Sequence, residues 1–475
     1  MELVGRKIEQ KTFKHCQQST ESKLVAVYGR RRVGKTFMIR SYFNQQFTFE
    51  ITGLHNGELH DQLTHFSNTL VAHNYLPALN AIAQNWMAAF GQLQLYLDTK
   101  KGKGKKVIFI DELPWFDTPR SKFLTAFEHF WNNYCTKRND ILFIICGSAA
   151  SWMIKKVLKN KGGLHNRVSE RIQLLPFNLD ETEQFLRNKN IKWSKYDITQ
   201  LYMSVGGIPF YLDAIRKGES VAQFIDRTCF QKNGLLKGEY KQLFSSLFKK
   251  SEQHEKVIEI LAGNKQGLER SDIITQGKFS SGGGLSSILE ELEESGFIES
   301  LAPYQSKRTK LKYRLIDQYS LFYLKFINAS QYKESNWLTI SNSQTWKSWS
   351  GIAFERICFY HRLQIQKALG IDKIKNQISS WSTKDVTRGA QIDLLIDRAD
   401  RIINICEIKF LKADYTITKE EAKKLRNRIE QFSNLTVNKR KTILLTIIST
   451  YGTSDNEYSK ELVQSEIVLE DLFKD

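Results

Sequence analysis

Short apolar runs alternate with longer amphipathic stretches over residues 24–180 of the chain. Three of these runs, at residues 24–28, 107–110 and 141–146, are apolar at every position instead of at alternate positions. Continuous apolar runs are typical of parallel strands that helices cover on both faces. The pattern therefore predicts an α/β fold with a buried parallel sheet in this part of the chain.

The pattern becomes helical after residue 180. Residues 181–250 are punctuated by Gly206, Gly207 and Pro209, which predicts a small helical lid with a turn between two of its helices.

The next segment combines helices with a hairpin. Residues 251–330 contain two or three short helices, then strands at about 297–302 and 310–316, which is the layout of a winged helix. The loop of this hairpin contains Lys307, Arg308 and Lys310, as the wing of a nucleic-acid-binding module would. Such modules also serve as plain spacers, so both interpretations stay open.

Residues 340–475 return to a mixed pattern of helix, strand, strand, helix and strand, which predicts a second α/β domain. A chain of 475 residues fits this division, because one hydrophobic core rarely serves more than about 300 residues.

Charge and cysteine content narrow the partners and the setting. Lys and Arg number 70 against 51 Asp and Glu, and the resulting charge of +19 favours a polyanionic partner, nucleic acid first and an anionic membrane surface second. The six cysteines form no C-x-x-C pair, as expected of buried thiols in a reducing compartment. The first residues have no apolar signal core and the apolar runs are short. We therefore expect a cytoplasmic protein that does not span a membrane.

A phosphate-binding loop follows the first predicted strand. Residues 29–36, Gly-Arg-Arg-Arg-Val-Gly-Lys-Thr, match G-x-x-x-x-G-K-[ST] at the start of a predicted helix. Gly29 and Gly34 allow backbone N–H groups to surround phosphates. Lys35 is expected to reach the β and γ phosphates and Thr36 to bind Mg²⁺. ATP and Mg²⁺ are therefore the predicted cofactors.

The second apolar run ends in two carboxylates, Asp111 and Glu112. In-line attack on a metal-held γ-phosphate needs one group that holds the metal ion and one that activates water. We predict that Asp111 holds Mg²⁺ through water and that Glu112 is the general base.

Residues 4–9, 29–36, 110–113, 146–151 and 206–211 resemble, in order, the motifs of the archaeal-type AAA+ ATPases, relatives of the STAND signalling NTPases. The resemblance covers roughly residues 1–330. It implies that the strand ending at Cys146 lies between the strands that precede the P-loop and Asp111, and that Ser148 senses the γ-phosphate. It also implies that Arg167 lies near a nucleotide, often that of a neighbouring subunit, although a surface arginine is an equal interpretation. A homo-oligomer is thus one expected state, beside a ligand-gated monomer.

A second group of charged residues lies in the C-terminal part. Residues 392–396 and 403–410 predict a hairpin, and period-two geometry places Glu407 and Lys409 on one strand face. Asp393 on the neighbouring strand can face the same pocket, and Glu355 on a preceding helix can supply another ligand. Carboxylates and a lysine so arranged can hold one or two Mg²⁺ ions and position water for attack on a phosphodiester.

The order helix Glu, strand Asp, then Glu-x-Lys resembles the PD-(D/E)XK nuclease superfamily, over about residues 340–475. This stretch also resembles the domain of unknown function that commonly follows these ATPases. The signature's proline is replaced by Ile392. The alternative is an ordinary ion pair of Glu407 with Lys409 or Arg356.

Together these features predict a P-loop AAA+ core over residues 1–180, a helical lid over 181–250, a winged helix over 251–330 and a restriction-endonuclease-like α/β domain over 340–475. The predicted function is ATP hydrolysis coupled to action on nucleic acid, here DNA, with a Mg²⁺-dependent C-terminal nuclease controlled by the ATPase. The alternative is an ATP-dependent signalling switch or scaffold whose C-terminal domain binds without cleaving.

Overall fold

The computed structural model describes residues 2–73, 82–148, 152–158, 166–248, 250–306, 310–329, 336–383, 390–435 and 440–474. The chain divides into two compact units, Met1–Leu175 with Ser245–Lys249, and Pro176–Phe244 with Lys250–Asp475. These units are coarser than the four predicted parts, whose boundaries stay predictions. Within the described residues, every helix is too short or too polar to cross a membrane.

The first unit contains a sheet of five parallel strands in the order β2-β3-β4-β1-β5. The strands are β1 (Lys23–Tyr28), β2 (Phe49–Thr52), β3 (Lys106–Asp111), β4 (Ile141–Gly147) and β5 (Glu170–Gln173). The three continuous apolar runs are β1, β3 and β4, and the strand that contains Cys146 lies between the other two, as expected. The edge strands β2 and β5 are short and partly exposed, so no apolar run indicates them.

Helices complete this unit: α1 (Lys7–Gln18), α2 (Lys35–Tyr42), α3 (Leu59–Ala72), α4 (Trp86–Thr99) and α5 (Phe123–Asn133). Aromatic residues of α3, α4 and α5, among them Phe66, Trp86 and Phe127, pack against one face of the sheet. Strand β1 contributes Leu24 and Ala26 to this core, while its intervening residues are also fully buried. Burial on both faces explains why the run is apolar at every position.

The second unit begins with helices α6 (Leu179–Asn188), α7 (Lys195–Val205), α8 (Pro209–Asp213), α9 (Val221–Ile225) and the greater part of α10 (Glu239–Leu247). Gly206 ends α7 and Pro209 begins α8, so the predicted turn is present. The N–H of Phe177 donates to the carbonyl of Gly207 at 2.7 Å, and a Cβ at Gly207 would lie 2.0 Å from the Phe177 oxygen. Only glycine allows the two segments to approach this closely.

A small antiparallel sheet follows, with strand order β6-β8-β7. Its strands are β6 (Leu268–Glu269), β7 (Ile298–Leu301) and β8 (Lys312–Leu315), and its helices are α11 (Ser251–Ala262), α12 (Arg270–Gly277) and α13 (Gly283–Glu294). The hairpin thus lies where the pattern predicts it. Lys307 and Arg308 fall outside the described residues, whereas Lys310 is exposed.

The C-terminal sheet has the order β13-β12-β11-β10-β9, antiparallel from β9 to β11 and parallel from β11 to β13. Its strands are β9 (Asn376–Ser382), β10 (Gln391–Arg398), β11 (Ile402–Lys409), β12 (Thr442–Ser449) and β13 (Ser465–Val468). The helices are α14 (Gln318–Phe322), α15 (Trp337–Ser341), α16 (Gln344–Tyr360), α17 (Arg362–Ala368), α18 (Lys419–Leu435) and α19 (Glu457–Leu462). The predicted hairpin is β10 with β11, and the more polar outer strands β9 and β13 are additional.

A buried histidine joins the start of α6 to the end of α16. The ring of His361 is fully buried, its Nε2 accepts the N–H of Leu179 at 2.9 Å, and its Nδ1 donates to the carbonyl of Ile357 at 2.8 Å. Burial lowers the pKa of His361 from 6.5 to about 4. The neutral ring is therefore the form that fits the folded protein.

We expect this histidine to make the protein less stable in acid. Between pH 6.5 and pH 4 the unfolded chain takes up a proton at His361 that the folded chain does not, so the free energy of unfolding falls by up to about 3 kcal/mol as the pH is lowered. His361→Gln keeps an acceptor for Leu179 but does not titrate. The midpoint of urea unfolding should fall less between neutral pH and about pH 5 in this variant than in the unmodified protein. Equal pH dependence would contradict the assignment.

Candidate functional site

The P-loop closes tightly between β1 and α2. Gly29 and Gly34 have φ values of 144° and 89°, in the region that favours glycine. A Cβ at Gly29 would lie 2.4 Å from the carbonyl oxygen of Leu174. The loop therefore forms a cradle of backbone groups that a side chain at Gly29 would disrupt.

Lys35 lies across this cradle at the first position of α2. Its Nζ donates to the carbonyl oxygens of Gly29 and Arg30, both at 3.0 Å, and the residue is buried. These bonds fix the ammonium group beside the helix N-terminus, where backbone N–H groups and the helix dipole favour an anion. The arrangement fits the phosphates of a nucleotide.

Thr36 and Asp111 are in direct contact. The Thr36 hydroxyl donates to Asp111 Oδ2 at 2.8 Å, and the N–H of Glu112 donates to Asp111 Oδ1 at 3.0 Å. Hydroxyl and carboxylate oxygens are ligands that Mg²⁺ prefers. The donor set therefore suits the predicted metal ion, and the roles of both residues stay predictions.

Ser148 contacts Glu112. Both its N–H and its hydroxyl donate to Glu112 Oε2, at 3.1 and 2.9 Å. Glu112 itself has a left-handed backbone, with φ of 46°, at the turn after β3. Ser148 therefore orients the predicted general base in this structure, a relationship the sequence did not indicate; its role as γ-phosphate sensor stays a prediction. Residues 149–151 of the same motif lie outside the described residues.

Arg6, in the first motif, supports the P-loop. Its Nη1 donates to the carbonyl of Leu175 at 2.8 Å and its Nη2 to that of Val33 at 3.2 Å. The side chain thereby links the P-loop to the segment after β5. Sequence reasoning gave Arg6 no role, because its partners are distant in the chain.

Arg167 lies at the opposite edge of the sheet from the P-loop. It lines an open cavity of 660 Å³ with Lys23 and Arg138, at the strands' amino ends, whereas the P-loop follows the carboxyl end of β1. The residue is therefore remote from the nucleotide site of its own chain. Action on the nucleotide of a neighbouring subunit stays a prediction. Leu164 and His165 of its motif lie outside the described residues.

In the second unit, the hairpin brings the predicted carboxylates together. Leu394 pairs with Cys406, so the antiparallel register places Asp393 opposite Glu407 on one face of the sheet. The pairing of β10 with β9 shifts register between Ile392 and Leu395, a bulge that includes Asp393. Bulges of this kind redirect a side chain and are common beside active sites.

Glu355 on α16 belongs to the same cluster. Burial, then the neighbouring Asp393, raises the pKa of Glu355 to about 7, while Lys265 acts in the opposite direction. Burial also raises the pKa of Asp393, with Glu407 contributing and Gln391 opposing. The mutual influence of the three carboxylates shows that they share one partly desolvated site.

Cations surround this carboxylate cluster. Lys409 Nζ lies 2.9 Å from Glu407 Oε1, and Arg428 of α18 pairs with Glu407 Oε2. Arg314 of β8 is buried, and Asp393 and Glu355 are among the charges that act on it. Sequence reasoning missed both arginines, because neither lies within the motif. Among the described residues, no group of three or more His, Cys, Asp or Glu is arranged to hold a metal ion.

Comparison with known proteins supports the N-terminal assignment. Residues 3–215 match the family model of an ATPase domain found predominantly in Archaea. An uncharacterized protein of Methanocaldococcus jannaschii, MJECL04, is 24% identical over 414 residues, which are 86% of this chain and 87% of that protein.

Among solved structures, the Walker-type ATPase PABY2304 of Pyrococcus abyssi superposes with a TM-score of 0.52 at 16% identity, over 68% of this chain and 96% of that one. A weaker likeness, from which nothing further follows, is to the ORC2 protein of Aeropyrum pernix, with a TM-score of 0.40 at 12% identity over 68% and 93% of the two chains. Residues 3–215 are thus similar to an archaeal-type ATPase domain, and the parallel sheet and the P-loop give this part of the chain a P-loop ATPase fold.

We expect Lys35→Ala to lower ATP affinity by at least about tenfold and to abolish hydrolysis, because its ammonium group is fixed at the phosphate cradle by two backbone carbonyls. Isothermal titration with ATP and a phosphate-release assay measure both quantities. Arg31→Ala is the matched control, since Arg31 is an exposed residue of the same loop. Unchanged ATP hydrolysis in Lys35→Ala would refute the P-loop assignment.

We expect Ser148→Ala to lower kcat for ATP hydrolysis by roughly tenfold while changing ATP affinity little, because Glu112 loses the hydroxyl bond, one of the two bonds that orient it. Steady-state kinetics separate the two effects. Ser67→Ala removes a serine of equal exposure, 8%, from helix α3 and should leave kcat unchanged. A selective loss of affinity in Ser148→Ala would instead favour direct contact with the nucleotide.

Proposed function

We propose that this protein is an ATP-dependent, Mg²⁺-dependent enzyme that cleaves DNA at the C-terminal carboxylate cluster under control of its ATPase domain. The observation that supports this proposal is that Glu355, Asp393, Glu407 and Lys409 lie close together on one side of the β10–β11 hairpin. The three carboxylates are not arranged as a metal site among the described residues, so in this proposal a divalent cation draws them together and positions water against a phosphodiester.

The fit of a metal ion to this cluster follows from its charge. Burial first, and the repulsion of neighbouring carboxylates after it, raise the pKa of Glu355 and Asp393. A divalent cation would relieve this repulsion better than a single lysine. In this proposal Glu355, Asp393 and Glu407 bind Mg²⁺ and Lys409 contacts the phosphodiester.

In the ATPase domain, the proposed division of roles follows the contacts. Lys35 binds the β and γ phosphates, and Thr36 and Asp111 hold the metal ion. Glu112 activates the attacking water, and Ser148 orients the carboxylate of Glu112. Each of these side chains lies at the carboxyl edge of the sheet, on or beside β1, β3 and β4.

Charge favours DNA as the substrate. A net charge of +19 suits a phosphate backbone. The helices α11–α13 with the sheet β6-β8-β7 have the order of a winged helix, and the hairpin presents the exposed Lys310. We propose that this module contacts DNA next to the carboxylate cluster in the same unit.

The second candidate is a switch or scaffold whose C-terminal domain binds without cleaving. The observation in its favour is the pairing of Glu407 with both Lys409 and Arg428, because these cations already satisfy the carboxylate. In that case the cluster would stabilise the fold and would not bind Mg²⁺.

Cleavage of linear, supercoiled and single-stranded DNA, with and without Mg²⁺ and ATP, tests the proposal. We expect Asp393→Asn and Glu407→Gln each to lower cleavage by at least about a hundredfold, because each removes a metal ligand. Asp397→Asn is the matched control: it lies on the same hairpin but pairs with Lys441. If no DNA is cut while ATP is still hydrolysed, the switch or scaffold becomes the better account.

A further inference from the structure

A cavity of 870 Å³ opens in the second unit between the end of α11, the turn after α14 and helix α16. Its apolar wall includes Leu321, Leu324 and Trp349. The polar residues Gln344, Thr345 and Ser348, from the first turns of α16, also line the cavity. A cavity of this size accommodates a nucleotide or a short stretch of backbone.

Arg356 lines the cavity as a buried charge. The residue is only 4% exposed, and neither its Nε nor its Nη1 has a hydrogen-bond partner among the described residues. Leaving two N–H-bearing nitrogens of a buried guanidinium without protein partners is costly. An anion in the cavity that accepts hydrogen bonds would satisfy these two nitrogens.

The other charges in the cavity are mostly positive. Lys265 and Lys325 are exposed at its lining, against a single acidic residue, Glu259. Together with Arg356 they leave an excess of positive charge around the space. An anion with several oxygen acceptors, such as a phosphate, matches a guanidinium that offers free N–H groups.

This cavity adjoins the carboxylate cluster. Arg356 directly follows Glu355 in α16, and Lys265 both lines the cavity and acts on the charge of Glu355. A phosphate bound by Arg356 and Lys265 would therefore lie beside the proposed metal site.

We propose that this cavity binds a phosphate of the nucleic-acid backbone and so positions the neighbouring phosphodiester at the carboxylate cluster. The identification of this phosphate as part of a nucleic-acid backbone rests on the proposed function, in which DNA is the substrate. A free phosphorylated small molecule has the same chemistry, and the test below separates the two sources.

Fluorescence anisotropy with a short labelled DNA duplex, without divalent metal, tests the cavity independently of cleavage. The full chain carrying Lys35→Ala serves as background, so that the P-loop does not compete for phosphate. We expect Lys325→Gln and Lys265→Gln each to weaken binding by about threefold or more and to reduce the salt dependence of binding by about one ion. Lys367→Gln on α17 is the control, an exposed lysine outside the cavity, and should change neither quantity.

Arg356→Met tests the buried guanidinium. Methionine fills a similar volume without the charge, so the variant should fold and melt like the parent protein. We expect its affinity for DNA to fall by about tenfold or more. The proposal would be overturned if Lys325→Gln, Lys265→Gln and Arg356→Met all bound the DNA duplex with the same affinity as Lys367→Gln. That outcome would count even if Asp393→Asn still abolished cleavage.

Competition with adenosine monophosphate identifies the source of the phosphate. If DNA binding depends on the cavity and the mononucleotide displaces DNA only at millimolar concentration, the backbone is the ligand. The opposite result has two parts: the mononucleotide binds tightly and loses affinity in Lys325→Gln, whereas the affinity for DNA does not change in that variant. This result would overturn the assignment to a DNA backbone. Cleavage assays remain a separate readout of the proposed function.

Discussion

The hydrogen bond between Thr36 and Asp111 is the contact on which the nucleotide site depends. These residues follow β1 and end β3, two strands that are not neighbours, because β4 lies between them. Tyr28 pairs with Gly147 of β4, and Ile110 pairs with Ile145. The three strands must therefore end at nearly the same level, so the chemistry at the edge depends on the register of the buried apolar runs.

The carboxylate cluster is limited by a different physical effect, the free-energy cost of burying like charges close together. Asp393 and Glu407 face one side of a hairpin, and the residues directly before and after each of them are apolar and buried. Without a metal ion, the fold balances them with Lys409 and Arg428. This arrangement fits either a permanent ion-pair network or a metal site in which a divalent cation displaces Lys409 and Arg428 from Glu407. Added Mg²⁺ would break the ion pairs only in the second case.

Local patterns predicted the parts of the fold whose causes are local. The P-loop, Asp111 and the continuous apolar strands could be predicted from the sequence, because each depends on residues that are adjacent in the chain. Edge strands such as β2 and β13 escaped prediction, since partial exposure removes the apolar run. The roles of Arg6 and Arg428 could not be predicted, because each contacts groups far away in the chain.

The second unit offers a physical route for the proposed control by ATP. Its first residues are tied to helix α16: the Tyr360 hydroxyl donates to the carbonyl of Pro176 at 2.9 Å, and His361 accepts the N–H of Leu179. The same helix carries Glu355 and Arg356. A displacement of the segment that begins at Pro176 must therefore either break a buried hydrogen bond or move α16. Moving α16 changes the distance between Glu355 and the hairpin carboxylates, which is what control of a metal site requires.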